Sequence, residues 1–272
     1  MNDLDRAARI VRESSAILVA AGAGMGVDSG LPDFRGDRGF WKAYPPYQQL
    51  GLSFVDLANP RWFEMDPEFA WGFYGHRLAL YRNTAPHEGF AILRRWIASK
   101  PNGGFVFTSN VDGQFQRAGF DPNAILECHG ALDYLQCMSD CGVGIIRADS
   151  FHPDIDEQTF RARGELPGCP RCSALMRPNV LMFGDGGWDS AREDEQSRRF
   201  EQWLGGIAGG KLAIVECGAG TAVPTVRMTT ERLARAIGAS IIRVNVREPE
   251  VPLGHIGLPL GALEGLRAID TR

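Results

Sequence analysis

Residues 16–36 read Ala-Ile-Leu-Val-Ala-Ala-Gly-Ala-Gly-Met-Gly-Val-Asp-Ser-Gly-Leu-Pro-Asp-Phe-Arg-Gly. Six apolar residues followed by closely spaced glycines are typical of a buried parallel strand that ends in a phosphate-binding turn. The turn begins with three residues that would let a pyrophosphate approach the backbone amides, namely Gly22, Ala23 and Gly24. A dinucleotide-binding turn usually has a third glycine where this chain has Val27. The glycines alone are therefore a weak signal.

The continuation of this stretch, from Ser29 to Gly36, has no role in an ordinary dinucleotide-binding turn. The whole segment closely resembles the signature of the sirtuins, a family of NAD-dependent protein deacylases. The resemblance implies that the segment binds NAD through Gly22, Ala23, Gly24, Asp33, Phe34 and Arg35. Phe34 would shield the reactive sugar, and Arg35 would order the loop at the phosphates. A glycine-rich turn of another α/β protein would explain the glycines but not the Asp-Phe-Arg that follows them.

The composition is that of a globular protein with a substantial core, because 44% of the 272 residues are hydrophobic. The net charge of -4 argues against binding nucleic acid through bulk electrostatics. The polar, acidic N-terminal segment matches neither a secretory signal nor a membrane span, so we expect a cytoplasmic protein without membrane association. We also expect a monomer.

Apolar runs that predict strands alternate with segments of helical periodicity. Besides 16–21, the predicted strands are 105–108, 124–127, 180–183, 212–216 and 241–245, and the predicted helices are 3–14, 67–82 and 87–99. The segment between Arg35 and residue 67 has no clean period and is expected to be irregular. Strands that alternate with helices predict an α/β fold with a parallel sheet covered on both faces.

The segment Thr108-Ser109-Asn110-Val111-Asp112 resembles the second sirtuin signature, in which glutamine usually takes the place of Ser109. Polar residues at the carboxyl end of a buried strand are where open α/β sheets place ligand contacts. The resemblance implies that Asn110 and Asp112 line the nicotinamide pocket and that Ser109 lies beside the ribose. Alternatively, Asn110 and Asp112 merely cap the following helix.

Cys128-His129-Gly130 follows an apolar strand and matches the place of the family's catalytic base. A lone histidine is more often structural, and this is our interpretation of His76, His152 and His255. His129 differs because it lies at the edge where the other polar strand ends should converge. Imidazole has a pKa suited to accepting a ribose hydroxyl proton near neutrality.

Two cysteine pairs indicate a structural zinc site. Cys137 and Cys141 are followed, after 27 residues, by Cys169 and Cys172, and four thiolates can close a tetrahedral site. The first pair is one residue wider than usual. Sirtuins carry a zinc ribbon at this point, which supports one zinc per chain without an open position for catalysis. A redox-active pair is the competing interpretation.

Two further segments resemble the family. Residues 176–185 end in Phe183-Gly184-Asp185, where glutamate usually replaces Asp185, and the resemblance implies that Phe183 and Gly184 contact the substrate. Residues 216–221 form a second strand-to-glycine turn, which we assign with Asn245 to the adenosine side. The cofactor residues predicted there are Gly218, Ala219 and Asn245. A cap or turn is the alternative.

Tyr74 and Arg77 are three residues apart in the predicted helix, so both side chains can point at one target. A guanidinium and a phenol together suit a carboxylate. The spacing resembles that of sirtuins that remove acidic acyl groups such as succinyl. An ordinary amphipathic helix, with Tyr74 packed and Arg77 solvated, is the equally weighted alternative.

The resemblance implies a Rossmann-like, sirtuin-type NAD-binding fold with a small zinc-ribbon and helical-insert domain. The predicted divisions are a discontinuous NAD-binding domain (1–36, 83–132 and 178–272), a cofactor loop and helical insert (37–82) and a zinc ribbon (133–177). The implied reaction releases nicotinamide from NAD and transfers the acyl group of a protein lysine to ADP-ribose. Because Ser109 and Asp185 depart from the family pattern, an ADP-ribosyltransferase or NAD hydrolase is an alternative. A non-catalytic NAD sensor is a further one.

Overall fold

The chain is organised around a fully buried apolar strand, Ala16–Ala21. The structure is a computed structural model that describes residues 2–32, 44–156, 158–207 and 209–272. The strands are β1 (Ala16–Ala21), β2 (Gly104–Thr108), β3 (Ile125–Glu127), β4 (Gly130–Cys137), β5 (Ile146–Arg147), β6 (Asp154–Ile155), β7 (Ala162–Arg163), β8 (Met176–Val180), β9 (Leu212–Cys217), β10 (Ser240–Val244) and β11 (Ile256–Leu258). The helices are α1 (Asp3–Glu13), α2 (Pro45–Gln49), α3 (Phe54–Leu57), α4 (Arg61–Met65), α5 (Pro67–Asn83), α6 (Glu88–Ala98), α7 (Gln114–Arg117), α8 (Ala191–Gly206), α9 (Thr225–Ile237) and α10 (Ala262–Asp270). Across these ranges, no helix is both long and apolar enough to cross a membrane.

Six parallel strands form the main sheet, in the order β11-β10-β9-β1-β2-β3. The chain builds β1, β2 and β3 outward in one direction and later builds β9, β10 and β11 outward in the other. The connections after β1 and β9 therefore leave the sheet in opposite directions. In open α/β sheets, such a switch point creates a ligand-binding crevice at the carboxyl ends of the strands.

Helices cover both faces of this sheet, which explains why β1 is apolar at every position. Ile17, Val19 and Ala21 share a core with residues of α1, α6 and α10. Ala16, Leu18 and Ala20 point to the other face, where they share a core with residues of α8 and α9. The predicted parallel sheet with two covered faces is confirmed.

A second apolar core joins helices α3–α5 to the antiparallel sheet β5-β4-β8. Its centre is α5, where Trp71, Phe73, Tyr74 and Leu78 are at most 1% exposed. The Trp71 indole donates to the carbonyl of Met176 in β8 at 3.1 Å. The helical insert and the cysteine-bearing segment therefore pack as neighbours, beside the carboxyl edge of the main sheet.

Two predictions of secondary structure are wrong, and one strand of the main sheet was not predicted. The run 180–183 is not a strand of the main sheet, since only Val180 is in a strand, and that strand is β8 of the small sheet. The sixth parallel strand is β11, Ile256–Leu258, which was not predicted. The segment before residue 67 contains the three short helices α2, α3 and α4 rather than irregular chain only.

Candidate active site

A cleft of about 920 Å³ opens at the switch point between β1 and β9. Its walls come from the loops after β1, β2, β3 and β9 and from α3, α5 and the segment after β8. This volume lies near the upper end of the roughly 300–1,000 Å³ usual for small-molecule sites. The cleft can therefore hold an extended ligand.

The floor of the cleft is a contact between the two glycine turns. The amide of Gly22 donates to the Cys217 carbonyl, and that of Gly24 donates to the Gly218 carbonyl, both at 3.0 Å. Gly218 has a φ of +64°, and a Cβ there would lie 2.3 Å from the carbonyl carbon of Gly24. The glycines are thus needed for close approach of the two turns. The expectation that the Gly22 and Gly24 amides are bare is wrong, although Gly22 and Ala23 line the cleft.

Ser109, Asn110 and Asp112, from the loop after β2, all line the cleft. The Asn110 side-chain amide donates to the Gly22 carbonyl at 3.0 Å, which ties this loop to the first glycine turn. Asp112 accepts from the Gln114 amide at 2.9 Å, although the N-cap residue of α7 is Gly113. Burial raises the pKa of Asp112 to about 6, against the effect of that hydrogen bond. At neutral pH the cleft therefore presents a carboxylate that is easily protonated.

His129 follows β3 and faces the same cleft. Its Nε2 lies 3.4 Å from the hydroxyl of Thr225, at the start of α9. Burial lowers the pKa of His129, although a hydrogen bond with the Ser109 backbone opposes this shift. Gly130 permits the sharp departure into β4, since a Cβ there would lie 2.1 Å from the Asn179 carbonyl oxygen. The ring is therefore neutral at pH 7 and fixed at the edge of the cleft.

The side of the cleft beyond β9 is built from the second glycine turn and the end of β10. Ala219 lines the main cleft, whereas Gly24, Gly218 and Asn245 border an adjoining cavity of about 150 Å³. The side-chain amide of Asn245 donates to the Ala219 carbonyl at 2.7 Å. The predicted adenosine-side residues are thus brought together.

Tyr74 and Arg77 of α5 both line the cleft. Arg77 is only 5% exposed, and it donates through Nε and Nη2 to the hydroxyl of Tyr81, at 3.1 and 2.9 Å. The buried Tyr74 hydroxyl has no hydrogen-bond partner within the described ranges. Of the amphipathic-helix alternative, the packed Tyr74 is confirmed and the solvated Arg77 is wrong. Sequence analysis missed Tyr81, although its place one turn after Arg77 was a usable signal.

The loop after β8 is held by a buried ion pair. Arg177 contacts both carboxylate oxygens of Asp185 at 2.8 Å, and these side chains are 4% and 1% exposed. Asp185 also accepts from the amides of Met182 and Gly187. This arrangement presents Phe183 to the cleft at 39% exposure. Gly184, predicted to contact substrate, is exposed beside it at a φ of +69°.

The four predicted metal ligands form one cluster. The Sγ atoms of Cys137, Cys141, Cys169 and Cys172 all lie within 4.8 Å of one another. The closest pairs are Cys137 with Cys172 at 3.6 Å and Cys141 with Cys169 at 3.5 Å. Tetrahedral zinc, with Zn–S of about 2.3 Å, needs sulfurs roughly 3.8 Å apart. The geometry of the four sulfurs fits such an ion.

Three predicted cofactor residues, Asp33, Phe34 and Arg35, lie outside the described residues. Two further residues were not predicted: Glu248, which lines the cleft beside the second glycine turn, and Thr225, whose hydroxyl lies beside His129. Glu248 follows the last predicted strand closely, and polar residues in that position are a signal that sequence reasoning can use. The hydroxyl of Thr225 had no comparable signal, since it meets His129 only in the fold.

A model of the Sir2 family matches residues 22–198, a range that includes the first glycine turn and the cysteine cluster. The chain belongs to the Sir2 family. Among its relatives, a protein of Thermus thermophilus named NAD-dependent protein deacylase is 31% identical over 98% of this chain and 93% of its own length. An identically named protein of Aquifex aeolicus is 30% identical over 88% and 87% of the two chains.

Solved structures support the same fold. One, described as a Sir2 homologue in complex with NAD, superposes with a TM-score of 0.73 at 23% identity, covering 98% of this chain and 92% of the other. A structure from work on the mechanism and regulation of Sir2 enzymes gives 0.69 at 25% identity, covering 99% and 96%. The predicted sirtuin resemblance is confirmed.

Proposed function

We propose that this Sir2-family protein is an enzyme that removes acyl groups from protein lysine side chains in an NAD-dependent reaction. The observation that carries the proposal is the convergence of His129, Asn110 and Asp112 in one cleft at the switch point of the sheet. The names of the relatives from Thermus and Aquifex support the same activity. An NAD sensor would need no fixed neutral base, so the position of His129 favours an enzyme.

The cleft suits NAD in extended form. Gly22 and Ala23 of the first glycine turn and Ala219 of the second line the cleft, and Asn110 with Asp112 offers donors and acceptors for an amide. When bound, NAD would supply an electrophilic ribose carbon, with nicotinamide as its leaving group, for the oxygen of the acyl group. Asn110 and Asp112 orient the nicotinamide amide. His129 Nε2 takes the proton of a ribose hydroxyl, which thereby becomes able to accept the acyl group.

The four-cysteine cluster holds one structural zinc ion in this proposal. Four thiolates fill the tetrahedral shell, so no position remains for substrate or water. The chemistry of the donor set, with four sulfurs at suitable separation, supports zinc over an oxygen-preferring cation. The cluster contributes to the fold beside α5 rather than to the reaction.

Product analysis separates deacylation from the other NAD-consuming reactions. We expect NAD and an acyl-lysine peptide to yield free lysine, nicotinamide and O-acyl-ADP-ribose in equal amounts, as measured by mass spectrometry. ADP-ribose formed without peptide would indicate an NAD hydrolase, and ADP-ribosylated protein would indicate a transferase. Of the two departures that raise this alternative, Asp185 is paired with Arg177 and buried away from the cleft. Only Ser109 remains as a departure within the cleft.

We further propose that the acyl group carries a carboxylate. Arg77 is a buried cation on the same helix as Tyr74, whose buried hydroxyl has no hydrogen-bond partner among the described residues, and both side chains line the cleft. A succinyl, malonyl or glutaryl carboxylate at this place would accept from both the guanidinium and the phenol. An acetyl group would leave the Tyr74 hydroxyl unsatisfied.

Arg77→Met should therefore erode a preference for acidic acyl groups while sparing deacetylation. We expect the parent to process succinyl-lysine peptide more efficiently than acetyl-lysine peptide, and the variant to lower that ratio of kcat/KM values by about tenfold or more. The ratio is insensitive to the fraction of folded enzyme. Arg61→Met, which removes an exposed cation from nearby α4, is the matched control and should leave the ratio unchanged. Equal losses on both substrates, or a parent that prefers acetyl, would contradict the acyl assignment.

A further inference from the structure

A buried ionic cluster lies behind the second glycine turn, outside the residues assigned to the reaction. Glu216 of β9 is fully buried, and Arg243 of β10 is 1% exposed. Arg243 donates to the two Glu216 oxygens at 2.5 and 3.1 Å and to Glu231 of α9 at 3.0 Å. Buried ion pairs contribute little net stability compared with apolar packing. A charged cluster inside a parallel sheet therefore points to a positional role.

The cluster holds the backbone of the loop after β10 at two places. Arg243 donates through Nη1 to the Glu250 carbonyl, and Arg227 of α9 donates through Nη2 to the Glu248 carbonyl. The Nε of Arg227 is buried without a hydrogen-bond partner in the described chain and lies 3.9 Å from Glu216. The Glu216 carboxylate thus lies between two arginines, each of which fixes one carbonyl of this loop.

The same loop reaches the rim of the cleft. The Glu248 carboxylate accepts from the backbone amide of Thr221 at 3.1 Å and from its hydroxyl at 2.5 Å. Glu248 and Thr221 both line the cleft. A continuous set of contacts therefore runs from Glu216 through Arg227 and Glu248 to the second glycine turn. That turn contains Gly218 and Gly220, whose lack of side chains leaves its backbone dependent on such outside support.

We propose that Arg227 is a positioning residue for the dinucleotide. By holding the Glu248 carbonyl, it fixes Glu248 and Thr221 at the cleft rim and so sets the affinity for NAD without taking part in the chemistry. The inference rests on the proposed NAD-dependent function. The competing interpretation is that the cluster only stabilises the fold.

Arg227→Met tests this role because it removes the donor to Glu248 while Glu216 keeps Arg243 and the Thr230 hydroxyl, at 2.6 Å, as partners. We expect the KM for NAD and the Kd for ADP-ribose, measured by calorimetry, to rise about three- to tenfold. The kcat and the KM for acyl peptide should stay at the parent values. Arg235→Met, which removes an exposed cation about two turns further along α9, should change none of these.

Two further variants keep the test decisive. Arg227→Lys retains a cation and should preserve most of the affinity even if the methionine variant folds poorly. Thr221→Val should also weaken ADP-ribose binding, and its combination with Arg227→Met should cost less than the product of the two separate losses, since both act on one route.

The outcomes distinguish the inference from the proposed function. A parent that binds no ADP-ribose would contradict both. A parent that binds it, with Arg227→Met binding equally well, would overturn the positioning role alone. A lower kcat with an unchanged KM for NAD, or losses that multiply fully in the double variant, would overturn it as well.

Discussion

His129→Ala should lower the kcat for deacylation by about a hundredfold or more and leave the Kd for ADP-ribose close to the parent value. The imidazole lies at the edge of the cleft with Nε2 near the Thr225 hydroxyl, where a ribose hydroxyl can reach it. Removing the imidazole deletes the proton acceptor. The glycine turns that we assign to dinucleotide binding follow other strands, β1 and β9, and should be unaffected. Initial rates of O-acyl-ADP-ribose formation and calorimetry with ADP-ribose measure the two quantities.

The pH dependence follows from two pKa shifts. Burial lowers the pKa of His129 from 6.5, so the base is unprotonated at neutrality and is lost only in more acidic solution. The Asp112 carboxylate, with its pKa raised to about 6, is also protonated as the pH falls through that value. Activity should therefore be level above about pH 7 and decline below about pH 6. The residual activity of His129→Ala should still decline as the pH falls through about 6, because the protonation of Asp112 remains.

Asn110→Ala and Asp112→Asn should fail at an earlier step than His129→Ala. We expect them to impair nicotinamide release and the exchange of labelled nicotinamide into NAD, which His129→Ala should largely retain. His152→Ala serves as the matched control, since His152 is exposed and distant in sequence from the cleft loops. If His129→Ala turned over like the parent, the assignment of the base would be wrong.

The main sheet could be predicted because its strands are apolar on both faces. Five of the six predicted strands are present, and β1 is buried at every residue. The prediction of a main-sheet strand at 180–183 was wrong because its apolar residues pack elsewhere. Val180 and Met182 are buried in the second core, and Phe183 lines the cleft. The true sixth strand, β11, is three residues long and contains Gly257, so its periodicity was too short to read.

The candidate site was predictable where function places polar residues directly after strands. Asn110, Asp112 and His129 follow β2 and β3, and parallel strands end at one edge of a sheet. Thr225 was not predicted, because it meets His129 only in the fold. Tyr81 was not predicted either, although its position four residues after Arg77 in the same helix was a usable signal.

The ionic cluster left a readable trace in the sequence. Glu216 and Arg243 each interrupt an otherwise apolar strand, within Leu212–Cys217 and Ser240–Val244. A charge in a strand that is covered on both faces must find a buried partner. Two such charges of opposite sign predict a pair, but only the structure identifies Arg227 and Glu248 as the continuation to the cleft.

Loss of the metal should have the largest effect on stability. We expect one zinc per chain by elemental analysis, and we expect Cys169→Ser to lower the melting temperature markedly and to abolish stoichiometric zinc. Binding energy at a thiolate site is folding energy, of the order of 10 kcal/mol for small zinc domains. Cys137 and Cys169 are 8% and 3% exposed and share the second core with Trp71 and Tyr74. Disorder of the cluster would therefore spread to α5 and to the acyl end of the cleft.

Two measurements distinguish this structural zinc from a redox-active cysteine pair. Cys128→Ala, outside the cluster, should retain full zinc content and serves as the matched control for metal analysis. Treatment with a chelator should lower the melting temperature of the parent whether or not a reductant is present, because the thiolates lose their common partner. A redox pair would instead make stability depend on the reductant and not on the chelator. A metal-free preparation that melts like the parent and keeps its activity would contradict the zinc assignment, since four thiolates this close would then be held by the surrounding packing alone.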